Sequence, residues 1–155
     1  MSLLASAGSN RRLYLSAFAA GFIAVLVFNQ GMLTVLHAAG LTPVQPFSIQ
    51  STSPLYVPQI WSYSFWGGVW GIILALVAPR FPRGGAYWIA AFLFGAIFPT
   101  FVQWFVVLPL KGLPMGNGFP PVAFVIGPAV NGAWGFGTAL ILRWRTRTDT
   151  DYHAR

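Results

Sequence analysis

The 155-residue chain contains no cysteine and only two acidic residues, Asp149 and Asp151, both in the C-terminal tail. Without cysteine the chain can form neither disulfides nor an iron–sulfur site. With both carboxylates in the tail, none is left inside an apolar segment to carry protons or attract cations, which argues against a small proton-coupled exporter. The chain also lacks a His-x-x-Glu metal pattern and a Ser/His/Asp set for catalysis within apolar segments. We therefore predict that the protein is not an enzyme and has no metal site.

Charged residues make up only 7% of the chain, whereas hydrophobic residues make up 56%. A soluble domain is about one quarter charged, and a membrane-spanning helix needs about 20 mostly apolar residues. Three stretches lack any charge: 13–79 has room for two spans, and 84–110 and 112–142 for one each. We predict an all-α, polytopic membrane protein, with residues 1–155 as a single integral membrane domain. Its four transmembrane helices, forming two tandem helical hairpins, are expected at about 13–37, 60–78, 87–108 and 122–142.

The basic residues predict the orientation of these helices. All but Lys111 precede the first span, lie between the second and third, or follow the fourth: Arg11, Arg12, Arg80, Arg83, Arg143, Arg145, Arg147 and Arg155. The positive-inside rule then places both termini in the cytoplasm, and the proline-rich loop at 41–58, which contains Pro54, on the other side. The pI of about 10.9 is read as this topology signal, so no nucleic-acid partner is expected. The predicted location is a bacterial inner (cytoplasmic) membrane, with the lipid bilayer as the first partner.

The two halves of the chain resemble each other. Gly68-Val69-Trp70-Gly71, followed by Arg80, matches Gly132-Ala133-Trp134-Gly135, followed by Arg143. Such a repeat predicts a parallel duplication of one helical hairpin, unlike the inverted repeats of many transporters. The alternative is coincidence, because glycine and tryptophan are common in membrane helices.

Small residues predict where the helices touch. Gly67 and Gly71 form a G-x-x-x-G pair on the second span, and Gly127 and Gly135 flank Asn131 on the fourth. Helices in lipid associate by close backbone approach at such residues. We expect these four glycines to be helix-packing positions, and whether one of the faces serves a different protein stays open.

Few polar residues lie inside the predicted spans, and five of them are candidates for function: Asn29, Gln30, His37, Gln103 and Asn131. Interhelical hydrogen bonding is favoured over a ligand site, although a kinked helix at Pro99 facing two amides is compatible with a small neutral ligand. His37 and Met115 are a conceivable haem axial pair, which we disfavour because no supporting motif accompanies them. No cofactor is therefore predicted.

Three of the seven tryptophans, Trp66, Trp70 and Trp134, lie deep in the predicted spans rather than at their ends. An indole N–H needs an acceptor when it is removed from water. Contacts between helices are the first expectation, and contact with a pigment, a quinone or lipid remains open.

The last third of the chain resembles the YagU-type bacterial inner membrane proteins. The resemblance lies in Pro109-Leu110-Lys111-Gly112-Leu113-Pro114, in the preceding Gly95-Ala96, and in a last helix that carries an amide and tryptophan and ends in arginines. The first half lacks the longer loop of that family. The resemblance implies a small four-helix inner membrane protein and no catalytic activity.

Two functional classes fit these features. The first is an accessory or structural subunit that packs against a larger membrane complex, with other membrane protein chains or further copies of itself as partners. The second is a small oligomeric transporter or channel for a neutral or anionic solute, lined by Asn29, Gln30, Gln103 and Asn131. The first is preferred, because a conduction path usually shows more polar lining.

Overall fold

The computed structural model describes residues 2–52 and 56–153, with side chains over 10–52 and 56–145. Pro54 and Arg155, used above, lie outside the described residues. Most of the chain is helical, and four helices are long and apolar enough to cross a membrane: Asn10–Ala38 (span 1), Gln59–Arg80 (span 2), Ala86–Leu110 (span 3) and Ala123–Arg145 (span 4). The prediction of four helices of membrane-spanning length and composition is confirmed, and these properties indicate a membrane protein.

The secondary structure runs in the following order: α1 (Ser2–Ala24), a π turn (Val25–Asn29), α2 (Gln30–Ala38), strands β1 (Ser51–Thr52) and β2 (Val57–Pro58), α3 (Gln59–Val77), a 3-10 turn (Ala78–Arg80), α4 (Ala86–Val102), a second π turn (Gln103–Val107), α5 (Leu108–Leu110), a 3-10 turn (Met115–Gly118) and α6 (Ala123–His153). The first and last helices extend beyond the predicted spans. Since 143–153 contains neither proline nor glycine, nothing local ends α6 where the apolar stretch ends.

Spans 1 and 3 each contain a π turn in their second half. In span 3 the turn begins four residues after Pro99, which has no N–H to donate and whose ring crowds the preceding turn. Span 1 has no proline there, and its π turn ends at Asn29. An extra residue in a helical turn shifts the register of all later side chains, and such turns often occur at functional positions.

Spans 1 and 3 also end in the same way. Gly40 and Gly112 both have φ of 72°, a left-handed conformation that glycine adopts without steric cost. The N–H of Leu41 donates to the Leu36 carbonyl at 3.0 Å, and that of Leu113 to the Leu108 carbonyl at 3.0 Å. Each of these hydrogen bonds is the longer of the two that define a Schellman cap. Such a cap gives a donor to carbonyl groups that have no partner within the helix.

Each span packs most extensively against its neighbour in sequence, span 1 with span 2 and span 3 with span 4, and span 1 also packs along span 4. Spans 2 and 3 touch at few points. The core between the four spans contains Ala24, Val25, Leu74, Ala91, Phe94, Trp134 and Ala139. Large apolar side chains such as Leu15, Val35 and Ile89 point outward, the arrangement expected for helices surrounded by lipid.

The connection between spans 1 and 2 is irregular except for a short antiparallel ladder. Ser51 pairs with Pro58 and Thr52 with Val57, immediately before α3. This is a small departure from the all-α prediction, and its reason is local. Prolines exclude a helix in this loop, so a two-residue ladder satisfies some of its backbone groups.

Candidate functional site

Glycines bring the two helices of each hairpin into backbone contact. A methyl group built on Gly21 would meet the Gly67 carbonyl oxygen and would lie 3.0 Å from the Gly71 Cα. On Gly71 it would lie 2.5 Å from the Ala17 carbonyl oxygen. Real Cβ atoms do not approach backbone atoms so closely, so this packing requires glycine at positions 21 and 71.

The second hairpin repeats this contact. A methyl group on Gly95 would meet the Asn131 carbonyl oxygen and would lie 2.9 Å from the Gly135 Cα, and one on Gly135 would meet the Ala91 carbonyl oxygen. A neighbouring contact repeats as well. The Phe18 ring covers Gly68, as the Phe92 ring covers Gly132.

Gly67 and Gly127 extend these faces differently. A methyl group on Gly67 would meet the side chain of Val25 and lie 3.2 Å from the Trp134 Nε1, so this glycine makes room for span 4 as well as span 1. A methyl group on Gly127 would lie 3.1 Å from the Thr100 Cγ2. The four glycines singled out in the sequence thus all lie against neighbouring helices.

The polar side chains of spans 1, 3 and 4 form one chain of hydrogen bonds. Gln30 Nε2 donates to Asn29 Oδ1 at 3.0 Å, and Asn29 Nδ2 lies 3.4 Å from both Asn131 Oδ1 and the Val130 carbonyl. Asn131 Nδ2 then donates to Thr100 Oγ1 at 2.9 Å. We call these four side chains, Gln30, Asn29, Asn131 and Thr100, the amide network.

The amide network continues into the loop after span 1. The backbone N–H of Phe47 donates to Gln30 Oε1 at 2.7 Å, and the Thr34 hydroxyl donates to the Gln30 carbonyl at 2.7 Å. Gln30 is 2% exposed and Thr100 also 2%, so the network is removed from solvent. Because a buried polar group is costly unless paired, this pairing holds the loop and three spans in one arrangement.

Gln103 does not join the amide network. The sequence placed it with Asn29, Gln30 and Asn131 along a possible solute path, but Asn131 bonds to Thr100, one turn earlier on span 3. Gln103 opens the π turn and is half-buried. Thr100 was not among the polar candidates from the sequence, because its bond to Asn131 depends on how span 4 crosses span 3.

His37 has a local structural contact. Its Nδ1 lies 3.0 Å from the Thr42 carbonyl oxygen, just beyond the Gly40 cap. Met115 belongs to a separate exposed turn. Among the described side chains, 10–52 and 56–145, no group of three or more His, Cys, Asp or Glu residues is placed to hold a metal.

The three deep tryptophans have different surroundings. Trp134 is 3% exposed, and its Nε1 donates to the Gly21 carbonyl of span 1 at 2.9 Å. Trp70 is half-buried and packs edge-on against Phe94 at 6.2 Å between ring centroids. Trp66 is 57% exposed on the outer face of span 2. Of these three tryptophans, only Trp134 therefore joins the two hairpins through a hydrogen bond.

One end of the bundle combines arginine with aromatic rings. The Arg143 guanidinium lies 4.7 Å from the centre of the Tyr87 ring and 5.4 Å from that of Trp88, within the range of a cation–π contact. Trp88 in turn packs on Phe136 at 5.3 Å, and Phe136 on Phe28 at 6.4 Å. We call Arg143, Trp88, Phe136 and Phe28 the aromatic ladder.

The aromatic ladder leads into an open groove of about 430 Å³. Its lining is apolar and comes from spans 1, 3 and 4: Val27, Phe28, Gly31, Met32, Val35, Phe92, Ala133 and Phe136. Gly31 differs from the packing glycines because no atom lies within 4 Å of a methyl group built on it. The amide network does not line this groove.

Comparison of the chain with protein families, with curated proteins and with solved structures found no match. The class of the protein is therefore defined by the structure itself. It is a helical protein with four helices apolar enough to cross a membrane, packed as two glycine-contacted hairpins that an amide network and Trp134 join.

Proposed function

We propose that the protein is an accessory or structural subunit that packs against a larger membrane complex and has no catalytic activity of its own. The observation that carries this proposal is that the deepest polar side chains bond to one another. The amide network pairs Asn29, Gln30, Asn131 and Thr100 across three helices. Amides committed to each other hold helices together and are not available to lead a solute through.

The available outer surface also supports a packing role. The glycine faces of the four spans are occupied within the chain, so a partner would meet other residues. Span 2 presents Trp66 beside Phe65, with ring centroids 5.6 Å apart, and both are exposed. Phe65 packs on Phe18 at 5.8 Å, which fixes this aromatic face to span 1.

Trp66 lies well away from the end of its span. Seven residues separate it from Gln59, about 10 Å along the axis at 1.5 Å per residue. Tryptophan usually lies at the headgroup level, where its N–H is satisfied. The Trp66 indole N–H has no hydrogen-bond acceptor among the described residues. An acceptor on a neighbouring membrane protein would satisfy this N–H. This is the face we assign to the partner.

The transporter reading has less support. A solute path needs polar groups that face a cavity, whereas the groove of about 430 Å³ is lined by apolar side chains. Gln103, the remaining amide of the suggested path, lies outside the amide network. Robust flux through the isolated protein would nevertheless favour this reading.

We further propose that both termini and the Arg80–Arg83 loop are cytoplasmic, in a bacterial inner membrane. The basis is the positive-inside rule applied to eight basic residues against Lys111. Cysteine-accessibility labelling tests it without background thiols. A cysteine at the exposed Ser51 is expected to react from the periplasmic side only, and exclusive cytoplasmic labelling would contradict the orientation.

Site-specific photo-crosslinking in native membranes tests the subunit proposal. A photoreactive phenylalanine analogue at Trp66 is expected to give an adduct with another membrane protein, identified by mass spectrometry. The matched control is the same analogue at Ile89, which is 63% exposed on span 3. Equal yields of protein adducts at the two positions would contradict a partner face at Trp66. The absence of any adduct with another protein at Trp66 would also contradict it.

A further inference from the structure

We propose that the apolar groove is a binding site for one acyl chain of an anionic phospholipid, whose headgroup lies at the arginine-bearing end beside Arg143. This assigns a lipid ligand to a surface that the subunit proposal does not use, and it does not depend on that proposal. The shape of the groove, the aromatic ladder and the charge at its end support this assignment.

The groove is elongated and apolar, as a site for an acyl chain requires. Val27 and Val35 mark its extent along span 1, eight residues or about 12 Å apart. An acyl chain is flexible enough to follow this apolar lining, and it carries no polar group that would need a partner there.

Gly31 supports a ligand inside the groove. The glycines at hairpin contacts, such as Gly21 and Gly95, are explained by backbone atoms close to them. Gly31 faces open space on the groove wall, so the chain itself gives no packing reason for its small size. An acyl chain lying against span 1 would use that space.

The aromatic ladder connects the groove to a headgroup position. Phe28 and Phe136 line the groove, Phe136 contacts Trp88, and Arg143 lies over the Trp88 ring. Seven residues separate Phe136 from Arg143, about 10 Å along the axis. Groove and ladder together give a path of roughly 20 Å, compared with about 15 Å for half of the hydrocarbon thickness of a bilayer.

Charge selects the headgroup. Arg12, Arg80 and Arg83 lie at the same end as Arg143, and the whole chain carries nine basic residues against two acidic ones. Basic residues at a membrane surface attract anionic lipids, each contributing a few-fold in affinity. Since acyl chains gain little from leaving lipid for an apolar groove, headgroup charge should provide most of the selectivity.

Native mass spectrometry of the full-length, delipidated protein tests the proposal, with dioleoyl phosphatidylglycerol and dioleoyl phosphatidylcholine as probes. The two lipids have the same chains and differ in charge. The first bound phosphatidylglycerol is expected to bind at least about fivefold more tightly, the ratio that corresponds to roughly 1 kcal/mol per basic residue at an anionic surface. Equal affinity for both lipids would overturn the headgroup assignment.

Two variants with matched controls locate the site. Gly31→Leu should weaken the first binding event for both lipids, because its side chain fills the groove without meeting the rest of the chain. Gly85→Leu makes the same change where no atom lies within 4 Å and should bind as the wild type does. Arg143→Gln should cut the preference for phosphatidylglycerol about fivefold, whereas Arg83→Gln should leave more of it intact.

Other occupants of the groove give distinct results. If Gly31→Leu leaves lipid binding unchanged, the groove is not the lipid site. If it instead changes the oligomeric mass, a second copy occupies the groove. A phosphatidylglycerol with a photoreactive acyl chain gives a readout that does not depend on any variant. It should label Met32 or Val35, and labelling confined to span 2 would overturn the proposal.

Discussion

The two hairpins use the same backbone contact but differ in what surrounds it. In the first, Gly21 meets Gly71 with a built methyl group 3.0 Å from the Gly71 Cα. In the second, Gly95 meets Gly135 at 2.9 Å. The covering phenylalanines, Phe18 and Phe92, are also equivalent. The close helix contact therefore depends on the same small residues in both halves.

The polar groups are not duplicated. Where the first hairpin has Gly67, the second has Asn131, which bonds to both Asn29 and Thr100. Trp134 donates to the Gly21 carbonyl of the other hairpin, whereas its counterpart Trp70 packs on Phe94 without a hydrogen bond to a described residue. Glycine contacts thus form each hairpin, and the second hairpin carries the side chains that join the two.

The largest effect is expected from filling the shared contact. Gly71→Leu and Gly135→Leu each drive a side chain into the facing backbone, which cannot move away as a side chain could. Each should lower the stability by about 3 kcal/mol or more, at the upper end for overpacked sites, seen as a large drop in the melting temperature in detergent. Gly31→Leu, with open space, is the control. Unchanged melting of both variants would show that these faces point at lipid.

The hydrogen bond between hairpins should give the next largest effect. Trp134→Phe removes the donor to Gly21 and leaves a small cavity, which we expect to cost about 2 kcal/mol. Trp70→Phe makes the same chemical change without losing a bond to a described residue and should cost less. Chemical denaturation in mixed micelles measures the difference. Equal losses would mean that the N–H of Trp134 contributes nothing beyond its ring.

A smaller effect is expected in the amide network. Asn131→Leu keeps a similar volume and removes one donor and one acceptor, which should cost about 0.6 kcal/mol and rarely more than about 1.7. Gln103→Leu, outside the network, is the control and should change stability less. The same variants also test function, because loss of solute flux in proteoliposomes on Asn131→Leu with the fold intact would favour the transporter reading.

The smallest effect is expected at the basic end. Arg143 contacts Tyr87 and Trp88, whereas Arg80, at the end of the first hairpin, donates to the Leu76 carbonyl at 3.1 Å. Arg143→Gln should cost roughly 0.5 to 1 kcal/mol, the value of an exposed cation–π contact. Arg83→Gln is the matched control for charge. A melting temperature that falls equally in both variants would attribute the effect to net charge rather than to the aromatic contact.

The sequence was sufficient to predict the helices but not how they cross. Long charge-free stretches predicted four spans close to their observed limits, because a helix satisfies its own backbone polar groups when it is surrounded by lipid. The same reasoning did not predict the π turns, since a one-residue expansion of a helical turn leaves hydropathy unchanged. It also did not extend α6 to His153, because the end of an apolar stretch does not by itself end a helix.

Within the site, the sequence pattern identified the packing glycines and the buried amides, whereas their contacts and hydrogen-bond partners depend on the tertiary structure. Gly71 and Gly135 stand out because small residues repeat at helical spacing, and Asn29 and Asn131 because amides are rare in such segments. That Asn131 bonds to Thr100 rather than Gln103, and that Trp134 reaches Gly21, depends on the rotation and crossing of whole helices. Hydropathy is a sum over neighbours along the chain and determines which segments become helices. A hydrogen bond between residues 113 positions apart needs an alignment to within a fraction of an ångström, and only the packed structure provides it.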